Sequence, residues 1–379
     1  MVSGARKSRF AVSVPDSVFQ IEALERLRKH LKFIALILLA VLMLWWLGRK
    51  LDWAEVRKAI SQANVWLLIF AGLTVVLTYG LRSFRWRALL LPLTPAHLRE
   101  LFVATTVGFG AVFLLGRAGE VVRPVVLPMR DSRVRPAASF VTIMIERLCD
   151  SMAVVVLFAL CLLWITPPAG EEATFGKVRL AGVALLALSA LGIAGLAWFK
   201  RRSKSAIGWL DKKLSHSSFI PKRLSHGVTH TLEQLATALR ILVDARELGI
   251  VIGWTAAIWL VIVLADWLLL RAFHLPFGFA ETVFVMGFAL VGSLVPTPGA
   301  AAGAFQATTS AGLIFLGVAL ERAAAISIIS PLVIFGPGFL VALYYLLRGD
   351  IDLKQLRRLT SAEAVEHVVE DEDIELSHA

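Results

Sequence analysis

Three stretches of this sequence set charged or backbone-breaking residues among apolar ones. The first is Gly116-Arg117-Ala118-Gly119-Glu120-Val121-Val122-Arg123. Arg117, Glu120 and Arg123 recur every third residue, so on a helix they share one face. Gly116 and Gly119 beside that face permit a tight break and a close backbone approach. A guanidinium can grip a phosphate through two parallel hydrogen bonds, so this face suits an anionic headgroup. It equally suits an internal ion pair that closes a hairpin. The second stretch is Glu146-Arg147-Leu148-Cys149-Asp150. Glu146 and Asp150 stand four residues apart on one face, and Arg147 lies one turn before Asp150. Together the two motifs set Arg117, Arg123 and Arg147 against Glu120, Glu146 and Asp150. That balance fits a mutually neutralised network, or one that opens to admit a zwitterionic or anionic headgroup.

The third stretch is Pro296-Thr297-Pro298-Gly299-Ala300-Ala301-Ala302-Gly303-Ala304-Phe305-Gln306. Non-helical backbone at membrane depth needs protein or a watery cavity to satisfy it. Thr297 and Gln306 can supply hydrogen bonds, and a half-helix starting near Gly299 would aim its positive end at an anion. The plain alternative is a kink whose small residues, Gly299 and Gly303 among them, allow close helix packing. Asp266 is a further intramembrane carboxylate, either a coupling or headgroup contact or an interfacial residue.

Other chemistry finds little support. The eight histidines are scattered, and His226 and His230 share a helical face in a basic loop without cysteine or carboxylate partners. Asp350-Ile351-Asp352 reads as helix-end polarity. The phosphate-binding loop, the dinucleotide glycine pattern and the nucleophile elbow are absent from the sequence. No cofactor or metal is expected, and the chain does not read as an enzyme.

The elements that must position these residues are membrane helices. Of the 379 residues 58% are hydrophobic and 18% charged, against about 25% charged in a soluble domain. Mean hydropathy is +0.74. Uncharged runs at 33–48, 59–81, 151–170, 180–199, 282–320 and 323–347 approach or exceed the roughly 20 residues of a spanning helix. The run at 33–48 follows a long basic stretch and reads as a span, not a cleavable signal. Cys149 and Cys161 read as small core hydrophobes. The net charge of +11 belongs to cytoplasmic loops and anionic lipid, not to nucleic acid.

Basic residues orient the chain. Arg6, Lys7, Arg9, Arg26, Arg28, Lys29 and Lys32 put the N-terminus in the cytoplasm, and residues 1–32 contain an amphipathic helix. Arg82, Arg85, Arg87 and Arg99 after the second span mark the inside again. The segment 166–179, with Glu171 and Glu172, reads as outside. The strongly basic loop 200–247 is inside, and the acidic tail 349–379 is a cytoplasmic end. If 101–116 crossed fully, Arg117, Arg123, Arg130, Arg133 and Arg135 would be stranded outside. A hairpin over 101–135 that enters from and returns to the cytoplasm strands none of them. The run 282–320 would make a helix of about 58 Å, roughly twice the hydrocarbon core, so it must fold back at Pro296-Thr297-Pro298-Gly299. The fold class expected is an all-α polytopic membrane protein with about six full spans and two re-entrant hairpins, arranged as an inverted repeat. Its first half covers 33–199 and its second 248–348. Secondary transporters place substrate sites at such Gly/Pro-broken elements.

On these three elements, in this order, the sequence resembles the lysylphosphatidylglycerol synthase transmembrane-region family of flippase-like membrane proteins, over roughly residues 30–348. The family pattern is a Gly-Glu-x-x-Arg element after an early hairpin, a Glu-Arg-x-x-Asp element on the next span and a Pro-Thr-Pro-Gly-rich element near the end. Gln306 departs from it, standing where the family often has Glu, and the soluble synthase domain of bifunctional members is not expected here. The resemblance implies translocation of a phospholipid, aminoacyl-phospholipid, hopanoid or polyprenyl-linked lipid in the plasma (inner) membrane, with both termini cytoplasmic. Expected partners are membrane lipids with anionic or zwitterionic headgroups, and enzymes of lipid synthesis. Two other readings stay open: an intramembrane transferase using Glu146 or Asp150 as general base, and a scaffold for a lipid-synthesis complex.

Overall fold

Helices begin where a short polar side chain can cap them. The computed structural model of the chain describes residues 51–164, 245–295 and 302–348, with isolated positions at 38, 45 and 49 and between 176 and 191. Asp52 accepts hydrogen bonds from the amides of Ala54 and Glu55 and opens α1 (Trp53–Ser61). Asn64 does the same for Trp66 and Leu67 at the head of α2 (Val65–Leu90). Then come α3 (Leu98–Leu115), a 3-10 turn (Gly116–Val121), α4 (Val122–Arg130) and α5 (Pro136–Trp164). The second half holds α6 (Ala245–Ala272), α7 (Phe279–Gly292), α8 (Ala304–Phe315) and α9 (Leu320–Leu347). All regular structure among the described residues is helical. The amphipathic N-terminal helix, the spans at 33–48 and 180–199, most of the basic loop and the acidic tail lie outside the described residues.

Val65–Leu90, Arg246–Ala272 and Leu320–Leu347 are long and apolar enough to cross a membrane. At 1.5 Å per residue each reaches about 40 Å. α5 is longer, at 29 residues, but carries Glu146, Arg147 and Asp150 along its length. α2 extends past the expected end at 81 through Arg82, Arg85 and Arg87 to Leu90. α9 runs through Pro331 and Pro337 without interruption.

Two pairs of consecutive helices lie side by side. α4 returns along α3, so closely that a Cβ on Gly119 would collide with the Ala111 backbone and one on Gly108 would sit 2.9 Å from Arg123 Cβ. α8 returns along α7, where a Cβ on Gly312 would lie 3.0 Å from the Phe288 ring. α8 starts at Ala304, and the expected start near Gly299 lies outside the described residues. Gly303 adopts φ 86, a conformation natural only to glycine, and donates its N–H to Gln306 Oε1 at 2.7 Å. Gln306 is therefore engaged as a helix cap.

α2 and α6 form the spine and run antiparallel. The Asn64 amide donates to Ala272 O at 2.8 Å at one end, and Phe84 stacks on Trp254 at 5.4 Å at the other. Two further antiparallel pairs flank them. α3 packs on α9 through Phe113 and Phe339, with Gly110 against Ala342. α5 packs on α7 through Phe158 and Phe284, and the Cys161 thiol donates to Ala280 O at 3.0 Å. Each pair joins the first leg of one hairpin to the long helix that closes the other half.

Candidate functional site

Three α-helices and the 3-10 turn bring charged residues to one place, and α6 adds polar side chains. Arg82 and Arg85 lie one turn apart on α2 and face α5. Arg85 Nη1 donates to Asp150 Oδ1 at 2.6 Å and to Thr255 Oγ1 of α6 at 3.1 Å. Arg82 Nη1 donates to Asp150 Oδ2 at 3.1 Å. Trp259, one turn beyond Thr255, adds its indole N–H to Asp150 Oδ1 at 3.3 Å. Asp150 is thus held from three directions.

Glu146 is the second anionic centre and is wholly buried. Arg123 of α4 engages it with both terminal nitrogens, Nη2 to Oε2 at 3.1 Å. Arg85 Nη2 approaches its Oε1 to 3.2 Å, and Arg147 Nη2 donates to the same oxygen at 3.2 Å. Arg147 also reaches Asp150 at 3.2 Å and Glu120 of the 3-10 turn at 3.8 Å. Aromatic rings complete the enclosure. The Arg123 guanidinium lies 4.4 Å over Trp86, whose indole N–H is fixed by Thr142 Oγ1 at 3.0 Å. Arg82 lies 5.0 Å over Phe109.

The expected pairing of Glu120, Arg123, Glu146, Arg147 and Asp150 is therefore realised in one cluster. Arg117 sits in the adjoining 3-10 turn, with its side chain outside the described residues. Arg82 and Arg85, which the sequence places as markers of the cytoplasmic side, are central members instead. They change the charge balance: among the described residues Arg82, Arg85, Arg123 and Arg147 face Glu120, Glu146 and Asp150. One cation is in surplus. The Nε atoms of Arg85, Arg123 and Arg147 are buried and have no hydrogen-bond partner among those residues. The floor at Arg85 and Glu146 is closed, whereas the Arg147 side chain is 38% exposed and that of Glu120 40%. Chemically the cluster presents guanidinium donors behind a polar rim and beside an aromatic wall.

Such an arrangement is poor value as a stability device. Desolvating this many charges costs several kcal/mol per ion, and apolar residues of like volume often hold a fold as well. Charge among membrane helices is expensive and rare, and where it occurs it faces the bundle interior or a water-filled cavity and is paired.

The other expected residues lie elsewhere. Asp266 is about 16 Å further along α6 than Thr255. It lines a narrow cavity with Phe305 and Thr309 of α8. Pro296, Thr297, Pro298 and Gly299 lie outside the described residues.

Comparison with known proteins gives two findings. The family described as "Lysylphosphatidylglycerol synthase TM region" matches residues 33–342. The protein named glycosyltransferase AglD, from Haloferax volcanii, is 26% identical over 309 residues, covering 73% of this chain and 47% of that protein. The chain thus spans about half the length of that relative.

Proposed function

The chain belongs to the lysylphosphatidylglycerol synthase TM region family, and from that premise we propose that it carries a lipid with an anionic or zwitterionic headgroup between membrane leaflets. The observation that carries this reading is the surplus cation of the cluster, with its unpartnered guanidinium Nε atoms beside an open rim. A headgroup phosphate would enter past Arg147 and Glu120 and take donors from the arginines behind them. Counting about 30 Å along α2 from Val65 puts Arg85 at the far boundary of the hydrocarbon core. Arg87, Arg99, Arg133 and Arg135 lie on the same side, so that boundary is the cytoplasmic one. The hairpin α3–α4 enters from and returns to that side, and α7–α8 lines the outer half of the path. The lipid classes are those the family resemblance implies, phospholipid, aminoacyl-phospholipid, hopanoid or polyprenyl-linked.

The test is leaflet-resolved movement of labelled anionic, aminoacylated and polyprenyl-phosphate lipids in proteoliposomes. Arg147→Ala removes the exposed arginine and its bonds to Glu120, Glu146 and Asp150, and leaves Glu146 paired with Arg85 and Arg123 and Asp150 with Arg82 and Arg85. One charge-assisted hydrogen bond is worth about 1.5–3 kcal/mol, so movement of the true substrate falls roughly ten- to a hundredfold while the melting temperature holds. Unchanged movement of every lipid overturns the reading.

One observation favours a second reading, a transferase acting on a lipid-linked group: the similarity to a protein named a glycosyltransferase. A general base needs a carboxylate free to take a proton, whereas Glu146 and Asp150 are each engaged by several arginines. Mass spectrometry of lipids after incubation with lipid-linked sugar donors decides this. A new lipid mass that is lost in Asp150→Asn favours the transferase.

A further inference from the structure

α6, α7, α8 and α9 enclose a second site in the other half of the molecule. Its polar groups are Asp266, Thr282, Thr309 and Ser330, one from each helix, and the rest of the wall is apolar. Two of the hydroxyls donate to their own helices, Thr282 to Gly278 O at 2.7 Å and Ser330 to Ile326 O at 2.8 Å. Thr309 does not. It is 2% exposed, and its hydroxyl has no hydrogen-bond partner among the described residues.

Among the described residues no cation lines the cavity at Asp266. The other charged and titratable groups of the packed helices are Arg246, Glu247 and Arg271 on α6, Glu281 on α7, and Glu321, Arg322, Tyr344 and Tyr345 on α9, and none lines the cavity. Arg271 lies over the Trp267 ring, and Glu281 caps the Gly278 amide at 3.0 Å. α8 has no charged residue, and neither does the segment 296–301 before it. From α2, Arg82 and Arg85 are turned to Asp150, and Tyr79 packs beside Ala265. From α5, Glu146 and Asp150 are held in the arginine cluster, Cys149 lies beside them, and Cys161 donates to Ala280 O.

An ionised carboxylate in so apolar a wall needs a positive partner. Four residues supply too few oxygens for a bare divalent cation, which takes six or more. A proton needs only one. The neutral acid also supplies a carbonyl oxygen that can accept from the Thr309 hydroxyl.

We propose that Asp266 reversibly binds a proton and that this cavity couples proton movement to lipid movement at the arginine cluster. α6 is the mechanical link. It holds Asp150 through Trp259 and Arg85 through Thr255 and carries Asp266 about 10 Å beyond the first and about 16 Å beyond the second, so a shift of this one helix is felt at both sites. The coupling rests on the transport reading; the proton site does not.

Two measurements on the full chain in proteoliposomes separate them. Infrared difference spectra between acid and alkaline buffer carry the carbonyl band of a protonated carboxyl in the native protein, and Asp266→Asn removes it. An unchanged band overturns the proton site. Lipid movement is then followed with and without an imposed pH gradient. Native protein shows a gradient-dependent bias approaching about tenfold per pH unit for one proton per lipid, and in Asp266→Asn the ratio of the two rates falls to one. A response to a sodium gradient in place of a pH gradient overturns the assignment to a proton. The band without movement of any lipid in any variant overturns the coupling and the transport reading together and leaves the proton site standing. Melting temperatures of Asp266→Asn and Asp266→Glu near the native value show that the fold is intact.

Discussion

Glu146 holds the charge balance of the cluster, since Arg85, Arg123 and Arg147 all converge on one of its oxygens. Removing it leaves the buried Arg123 without its counter-charge and leaves Arg85 only Asp150. Glu146→Ala is therefore expected to cost about 3–5 kcal/mol, seen as a large fall in the melting temperature of the detergent-solubilised protein. Replacing Arg123 and Glu146 together by methionine removes charge of both signs at once. The double variant then loses less than the sum of Arg123→Met and Glu146→Met, by about 0.5–3 kcal/mol for directly interacting residues. Strict additivity would mean that the pair does not interact. Glu146, Arg147 and Asp150 were legible in the sequence because their spacing puts them on one helical face. Arg82 and Arg85 were not. Their partners lie 68 and 65 residues away in α5 and 170 away in α6, and two arginines just after an apolar run follow the rule for a cytoplasmic boundary. Only the packing of α2 against α5 and α6 shows that they turn inward.

Close backbone approach is what lets α3, the 3-10 turn and α4 form a compact hairpin. Gly119→Ala sets a methyl group against the Ala111 backbone, which has no side-chain freedom to yield, so about 1–3 kcal/mol of stability is lost and Arg123 and Glu120 move off Glu146 and Arg147. Gly80→Ala is the matched control. Nothing lies within 4 Å of that position, and the change stabilises α2 by up to about 1 kcal/mol. Thermal unfolding of both variants is the check, and equal shifts would refute the packing argument. The far end of the hairpin is tied by Asp131, which accepts from the His97 amide at 3.2 Å and from Arg133 Nη2 at 2.7 Å. The Arg133 side-chain bonds and these amides hold its carboxyl down to about 2, against an ordinary value near 4. A group depressed in this way stabilises the fold fully above its unfolded value and loses that contribution as pH falls through the folded one. The melting difference between native protein and Asp131→Asn should be steady above about pH 5 and vanish toward pH 2. A difference that grows on acidification would contradict it. The close packing of α4 on α3 was legible because a straight crossing strands five arginines. α1 and the Gly303 cap were not, since one is a short mixed-charge helix and the other depends on a single backbone angle.

At the scale of the whole molecule, the antiparallel α2–α6 pair is the axis on which the other helices pack. The flanking pairs α3–α9 and α5–α7 are antiparallel too, and each half closes over the hairpin of the other. The arginine cluster and the Asp266 cavity then lie at opposite ends of the same spine, one in each half. This geometry makes a strict demand on sidedness. Gln62 and His274 are neighbours, with His274 Nε2 3.1 Å from Gln62 O, so they must face the same compartment. Arg87 and Gly249, at the other ends of α2 and α6, must share the opposite one. With Cys149 and Cys161 replaced by serine, single cysteines at these four positions can be probed with a membrane-impermeant maleimide. Gln62→Cys and His274→Cys should label in intact cells, and Arg87→Cys and Gly249→Cys only after permeabilisation, because the basic residues gather at the latter end. The fully reversed pattern would keep the architecture and turn the arginine cluster to the outer leaflet, changing which leaflet supplies the lipid. Labelling that divides Gln62 from His274 would break the antiparallel spine, and with it the shared helix by which Asp266 and Asp150 can sense one another.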